Sequence, residues 1–133
     1  MSEENVRIVM SLYDMFRRGD NESPFALYDE EIVWDMDLAI PDLAAVYRGH
    51  DGIREFWRSW LTAWERIEFE TVEVTEPADD AVLVEIQQRA RGRSSGAEAD
   101  YRWFQVWRLR DGKVIASHGR RTREEALGAA GLD

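Results

Sequence analysis

At 133 residues, the chain is long enough for one domain, residues 1–133, which would bury roughly two-thirds of its unfolded surface. Its formal net charge of −10 argues against nucleic acid or an anionic membrane as partners, because both require a basic face. With no cysteine, no apolar run near ~20 residues and an acidic N-terminus, we expect a cytoplasmic protein without disulfides or a membrane span.

The N-terminal part of the chain predicts two helices, a strand and a loop. Ser2 can cap a first helix that ends at Gly19, and apolar residues at helical spacing mark its buried side: Val6, Val9, Met10, Tyr13 and Phe16. A Ser-Pro pair at 23–24 predicts a short second helix. A strand over 31–35 and a loop over 37–47 follow.

A tryptophan-rich helix comes next. After a glycine-led break, one helical face carries six apolar residues at i, i+3, i+4, i+7, i+8 and i+11: Ile53, Phe56, Trp57, Trp60, Leu61 and Trp64. Each tryptophan buries on the order of 200 Å² when it is enclosed. A large curved surface must therefore surround this helix, and the strands that follow can supply it.

The remaining chain has the period of two that is typical of strands. In residues 68–75 the apolar positions switch parity between Phe69 and Val72, which predicts a bulge. Three further strands are expected: 82–90, 97–110 and 113–121. Thr122 with Glu125 forms a capping box for a final short helix. This order predicts an α+β fold in which an antiparallel meander packs against the helices.

Several segments together resemble the SnoaL-like branch of the nuclear transport factor 2-like superfamily. They cover nearly the whole chain in order: 27–34, 47–57, 91–97, 106–114 and 123–132. The resemblance implies a cone, in which a curved sheet wraps helices around a deep apolar pocket, and a homodimer. Because this fold hosts isomerases, cyclases and dehydratases as well as binding modules, the function must be inferred from the pocket.

Asp35 is the first candidate for catalysis. It falls where the similar ketosteroid isomerases carry a general-base aspartate, and a carboxylate facing an apolar cavity would have a raised pKa. The alternative is that Asp35 faces solvent or pairs with an arginine. The other groups of the isomerase mechanism are missing, since Leu12 replaces the tyrosine and Gln105 replaces the protonated acid. Ketosteroid isomerase activity is therefore not expected.

Gln88 and Gln105 are candidates for substrate binding. Each lies on a strand between apolar or aromatic neighbours at i±2, so the two amides could orient a substrate carbonyl or hydroxyl. The alternative is a hydrogen bond between the two glutamines that satisfies the sheet interior. Among the aromatic residues, Trp57, Trp60 and Trp103 are expected to line the cavity with Tyr13. Trp64 and Trp107 are instead expected to pack against the sheet or a partner subunit.

His118 is a second catalytic candidate, because the similar cyclases place acid–base residues on the last strand and histidine titrates near neutral pH. Strand alternation gives the competing interpretation. If Ser117 and Gly119 face the cavity, then His118 faces the opposite side, which is often the dimer contact in this family. His50 is interpreted as a helix N-terminal residue.

No metal or other cofactor is expected, because the two histidines are far apart and the acidic pair at 35 and 37 is a weak signal without further ligands. The leading interpretation is a pocket protein for a small hydrophobic or polycyclic molecule, with cofactor-independent isomerase, cyclase or dehydratase chemistry as its enzymatic form. The alternative is a non-catalytic ligand-binding or dimerisation module whose cone is filled by aromatic side chains.

Overall fold

The protein, described here by a computed structural model over residues 2–38 and 45–132, combines helices with one six-stranded sheet. Its elements in chain order are helix α1 (Ser2–Arg17), a 3₁₀ helix (Ser23–Leu27), strands β1 (Tyr28–Met36) and β2 (Ala45–Arg48), helix α2 (Gly49–Ala63), strands β3 (Trp64–Ala78), β4 (Ala81–Gly92), β5 (Glu98–Arg110) and β6 (Lys113–Arg120), and helix α3 (Arg123–Ala129). No helix in these described ranges is long and apolar enough to cross a membrane.

The six strands form a curved sheet in the order β2-β1-β6-β5-β4-β3. The predicted α+β class is confirmed, but the sheet is mixed. All neighbours are antiparallel except β1 and β6, which pair in parallel. The expectation of a purely antiparallel meander misses this pair, because β6 returns beside β1 only after a long connection that contains α2 and four strands.

Helix α2 begins at Gly49, whose φ of +70° is a conformation that glycine adopts without strain. The helix buries Ile53, Phe56 and Trp60 against the sheet. It ends at Ala63, so Trp64 already has extended backbone and opens β3 rather than closing the helix as expected from its spacing.

Strand β3 contains the bulge that the parity switch predicts. Its register with β4 shifts between Thr71 and Glu73, and the side chain between them, Val72, is 47% exposed. Strand β2 was expected to be part of a loop over 37–47. The structure instead pairs Ala45–Arg48 with β1, and residues 39–44 of that predicted loop lie outside the described residues.

The two faces of the sheet have different coverings. Helices α1 and α2 pack on the inner face over the larger hydrophobic core, which includes Val9, Leu12, Ile32, Trp34, Ile53, Val84 and Trp107. Helix α3 packs on part of the outer face at β5 and β6, and its Ala126 belongs to a second apolar cluster with Leu83 and Val106. The Thr122 hydroxyl accepts from the Glu125 amide at 3.1 Å, which is the N-cap bond of the predicted capping box, and it donates to the Glu125 carboxylate at 2.9 Å.

Candidate functional site

A cavity of about 510 Å³ lies between the inner face of the sheet and helices α1 and α2. Its wall is mainly aromatic and aliphatic, with two amide side chains: Tyr13, Phe16, Trp34, Met36, Phe56, Trp57, Trp60, Ile67, Phe69, Ile86, Gln88, Trp103 and Gln105. The volume is within the range of small-molecule sites, which are typically concave and mostly apolar.

The mouth of the cavity is formed by the end of α1, the last turn of α2 and the start of β3. Five of the lining residues lie there: Arg17, Gly19, Asn21, Leu61 and Glu68. Arg17 connects α1 to β3, because its guanidinium donates to Asp14 at 2.9 Å and to Thr71 at 3.1 Å. Of the described residues that line the cavity, only Arg17 and Glu68 carry a formal charge at neutral pH, and both are exposed to solvent.

One chain of hydrogen bonds crosses the wall from α1 to β6. The Trp107 indole donates to the Tyr13 hydroxyl at 2.8 Å, and that hydroxyl donates to Gln105 Oε1 at 2.6 Å. Gln105 Nε2 in turn donates to Ser117 Oγ at 2.7 Å. Burial raises the pKa of Tyr13, so the phenol remains protonated and holds this position as a donor.

A second chain of hydrogen bonds fixes the other glutamine. The Trp103 indole donates to Gln88 Oε1 at 3.1 Å, and Gln88 Nε2 donates to the Tyr101 hydroxyl. Burial raises the pKa of Tyr101, and the Arg121 guanidinium and the bond from Gln88 oppose that shift only partly. The alternative of a hydrogen bond between Gln88 and Gln105 is wrong, because each amide is held by other partners.

The structure brings all six predicted substrate-binding residues to the cavity wall: Tyr13, Trp57, Trp60, Gln88, Trp103 and Gln105. Of the other two tryptophans assigned from the sequence, Trp107 is fully buried and does not line the cavity. Trp64 is half-buried, with its ring 5.7 Å from that of Trp60. These placements support the residues as a lining, and their role toward a ligand stays a prediction.

The two predicted catalytic residues lie elsewhere. Asp35 and His118 are directly paired positions of the parallel β1–β6 ladder, and they face away from the cavity. Alternation explains this, since the neighbours Trp34 and Met36 face inward. On the last strand, an added Cβ at Gly119 would meet Met36 and Trp103, so it is Gly119, and not His118, that faces inward.

The environment of Asp35 is also the opposite of the one expected. Its carboxylate accepts from His118 Nδ1 and from the Arg120 guanidinium, both at 2.8 Å. Partial burial alone would raise the pKa of Asp35, but the hydrogen bonds and charges of Arg120 and His118 together outweigh burial and lower it. The expectation of a cavity-facing carboxylate with a raised pKa is therefore wrong, and the alternative of pairing with an arginine is what the structure has.

The cavity residues that the sequence prediction missed include Trp34 and Met36. Their signal was available, because Ile32, Trp34 and Met36 alternate along β1 and so share one face. His50 lies at the start of α2, where its Nε2 is 3.1 Å from the Tyr28 carbonyl oxygen. This position agrees with its interpretation as a helix N-terminal residue. Within residues 2–38 and 45–132, no cluster of three or more histidine or acidic side chains is suited to holding a metal ion.

The chain is similar to known proteins that share this fold. The model of the SnoaL-like domain family matches residues 9–117. A nuclear transport factor 2-like protein of unknown function from Burkholderia pseudomallei is 21% identical, with 94% of this chain and 95% of that chain covered and a TM-score of 0.79. A similar protein from Burkholderia xenovorans is 24% identical, covering 100% of this chain and 98% of that one, with a TM-score of 0.77.

A third structure is that of TerC co-crystallised with polyporic acid. It is 21% identical, covers 97% of each chain and has a TM-score of 0.79. At these identities the likeness shows the fold alone. No curated protein matches the sequence.

Proposed function

This chain belongs to the SnoaL-like domain family, and on that basis we propose that its cavity binds a small, flat, uncharged hydrophobic molecule. The observation that carries the proposal is the composition of the wall. Aromatic rings surround a space of about 510 Å³, and the buried amides of Gln88 and Gln105 that line it are neutral. Such a wall favours flat ligands that stack on aromatic rings and are oriented by few polar contacts.

The charge distribution supports an uncharged ligand. A charged group moved into this interior would lose its hydration without gaining a counter-ion from the described part of the chain, because Arg17 and Glu68 remain at the solvent-exposed mouth. The two hydrogen-bond chains hold the buried amides of Gln88 and Gln105 through neutral partners, without the help of an ion.

Binding is favoured over acid–base catalysis in the cavity. A general base must lie within hydrogen-bond reach of the proton that it removes, and Asp35 and His118 lie on the other face of the sheet. Tyr13 stays protonated and already donates to Gln105, so it can orient a ligand through that amide but is a poor proton acceptor. The isomerase, cyclase and dehydratase interpretations therefore lose the carboxylate on which they depended.

The related fold of TerC, which was co-crystallised with polyporic acid, supports a small organic molecule as the class of ligand. The alternative interpretation, a cone filled by aromatic side chains, conflicts with the volume of the cavity. A cytoplasmic location is part of the same proposal and rests on the cysteine-free composition.

Thermal-shift measurements with a panel of neutral polycyclic compounds test this function. A ligand present at 100 times its dissociation constant should stabilise the protein by about 2.7 kcal/mol. Leu61→Trp should abolish the shift, because Leu61 lines the mouth and is 45% exposed, so a larger side chain can obstruct entry without disturbing the core.

Val72→Trp is the matched control. Val72 is 47% exposed on β3 and does not line the cavity, so this variant should bind as the wild type does. Shifts that persist in Leu61→Trp would place binding outside the cavity. An absence of shifts across the whole panel would count against the proposed function.

We also propose a homodimer, formed through the outer face of β1 and β2. Helix α3 contacts β5 and β6, whereas Val46 on β2 is 54% exposed on the same face as Asp35. Light scattering of Val46→Asp against Val72→Asp tests this interface. Dissociation in Val46→Asp alone is the expected result, and a monomeric wild type would contradict it.

A further inference from the structure

The two glutamines of the cavity wall have a fixed orientation, because each hydrogen-bond chain begins at an indole nitrogen. An indole N–H can donate a hydrogen bond but cannot accept one. Whatever meets that nitrogen must be an acceptor, and the direction of every later bond in the chain follows from that first one. The oxygen and the nitrogen of each amide, in Gln88 and in Gln105, therefore face defined hydrogen-bond partners.

Gln88 shows the constraint directly. Its Oε1 meets the Trp103 indole at 3.1 Å, and its Nε2 meets the Tyr101 hydroxyl. Rotating the amide by 180° would bring its NH₂ group against the indole N–H, which places two donors against each other. The carbonyl end of Gln88 is consequently committed to Trp103.

Gln105 is constrained through one intermediate. The Tyr13 oxygen accepts from Trp107, and the Tyr13 O–H donates to Gln105 Oε1. A rotated Gln105 amide would present NH₂ to Tyr13 and leave the phenolic proton without an acceptor in the described part of the chain. The amide nitrogen is therefore committed to the side of Ser117, to which it donates at 2.7 Å.

Each committed amide retains one N–H. An NH₂ group has two donor hydrogens. Gln88 Nε2 donates one of them to the Tyr101 hydroxyl, and Gln105 Nε2 donates one to Ser117 Oγ, so each nitrogen keeps one hydrogen to donate. Across residues 2–38 and 45–132, no other acceptor reaches either nitrogen. Both side chains line the cavity, and each amide oxygen also keeps a second lone pair. The lining adds two further donors, because the indole nitrogens of Trp34 and Trp57 have no hydrogen-bond partner among the described residues, so donors are the larger part of the spare capacity.

We propose that the cavity selects its ligand by hydrogen-bond polarity, favouring neutral aromatic compounds that carry an acceptor, such as a ketone, over compounds that carry an N–H donor. Gln88 and Gln105 would be the contacting residues. Trp107, which is fully buried and does not line the cavity, would be a positioning residue that acts through Tyr13. The inference rests on the proposed function and narrows its class of ligand.

Three flat tricyclic probes of nearly equal size separate shape from polarity. Fluorenone carries an acceptor, carbazole carries an N–H donor, and fluorene carries neither. Titration calorimetry should give a dissociation constant for fluorenone about tenfold lower than that for carbazole, the difference expected when one compound pairs a spare donor and the other opposes it. Fluorene should lie between the two.

Variants then assign the preference to residues. Gln88→Met and Gln105→Met should each reduce the ratio between carbazole and fluorenone while leaving fluorene binding nearly unchanged. Trp107→Phe should also reduce the ratio, because Tyr13 is then free to turn its hydroxyl and Gln105 can rotate. Trp64→Phe is the matched control, since the Trp64 indole nitrogen has no hydrogen-bond partner within the described ranges and belongs to neither chain. It should keep the wild-type ratio.

The outcomes distinguish this inference from the function on which it rests. Equal binding of all three probes, or tighter binding of carbazole, would overturn polarity selection and leave the cavity as a binding site. Binding of none of the probes would overturn both. If Trp107→Phe does not fold, the two glutamine variants still decide, because an unchanged ratio in both would overturn the assignment.

Discussion

The Trp107 indole donates to the Tyr13 hydroxyl over 2.8 Å, which joins β5 to α1 across 94 positions of the sequence. The two rings meet edge to face with their centroids 5.8 Å apart, so the same pair of side chains makes both a hydrogen bond and an aromatic contact. Helix α1 is therefore held against the sheet by a directional bond as well as by apolar burial, and this bond fixes which face of the helix reaches the cavity.

Replacing Tyr13 with phenylalanine should destabilise the fold although the ring remains. The change leaves the Trp107 indole nitrogen and Gln105 Oε1 buried without their partner, and each unsatisfied group costs roughly 1–3 kcal/mol. Urea unfolding should therefore show a lower free energy of unfolding by about 2 kcal/mol or more.

Tyr47→Phe is the control for that variant. Tyr47 packs edge to face on Phe56, and its hydroxyl has no hydrogen-bond partner among the described residues. Its free energy of unfolding should stay within about 0.5 kcal/mol of the wild type. Equal effects of the two substitutions would mean that the Tyr13 hydroxyl contributes nothing specific.

Asp35→Asn should reduce the dependence of the free energy of unfolding on pH in the acidic range. The pKa of Asp35 is lowered in the fold, so its carboxylate stabilises the protein above the usual aspartate range, and that contribution is lost as the pH falls through the lowered value. At pH 7 the variant should lose about 1.5–3 kcal/mol, the value of hydrogen bonds to a charged group.

Between pH 7 and pH 3, the wild type should lose more stability than Asp35→Asn does, as measured by urea unfolding at each pH. Asp51→Asn is the matched control, because the Asp51 side chain is fully exposed and its ion pair with Arg54 is long, at 3.8 Å. A parallel pH profile for Asp35→Asn and the wild type would contradict the lowered pKa.

Asp35→Asn should also leave ligand binding in the cavity unchanged to within about twofold, a difference of roughly 0.4 kcal/mol. The residue lies on the outer face, whereas Trp34 and Met36 on either side of it line the cavity. Calorimetric titration with any probe that binds the wild type gives the comparison. A loss of affinity well beyond this range would return Asp35 to the candidate site.

Gly119→Ala should destabilise the protein because there is no room for a methyl group on the inner side of β6. An added Cβ would overlap Met36 Sδ and lie 3.0 Å from Trp103 Cζ3. Overpacking of this kind costs typically about 1–3 kcal/mol. The Met36 end can move, so the same substitution in a Met36→Ala background should cost less, and a double-mutant cycle measures the coupling. Additive effects would show that the two residues do not compete for this space.

Much of the fold could be predicted from local signals. The helix period around Ile53, the glycine before α2, the capping box at Thr122 and the parity switch before Val72 each depend on a few neighbouring residues. The pairing of β1 with β6 could not be predicted in this way, since it joins segments more than eighty residues apart and no local pattern encodes the direction in which the chain returns.

The site was predictable in its lining but not in its chemistry. Alternation on β4 and β5 correctly brought Gln88 and Gln105 to the inner face, whereas Asp35 was assigned by analogy although alternation on β1 favoured its neighbours. The hydrogen bonds of both glutamines depend on partners from other strands and from α1. Sequence spacing carries no information about which end of an amide such partners will meet.

Strand β3 lies at one edge of the sheet, and the bulge at Val72 affects how the molecule behaves at high concentration. A long regular edge strand offers a row of unpaired backbone groups on which another copy could add, as happens in fibrils. Here the bulge breaks that row, Pro77 lacks an N–H to offer, and five glutamates along the strand bring like charges together if two such edges approach. Growth by strand addition is thus disfavoured at this edge of the sheet.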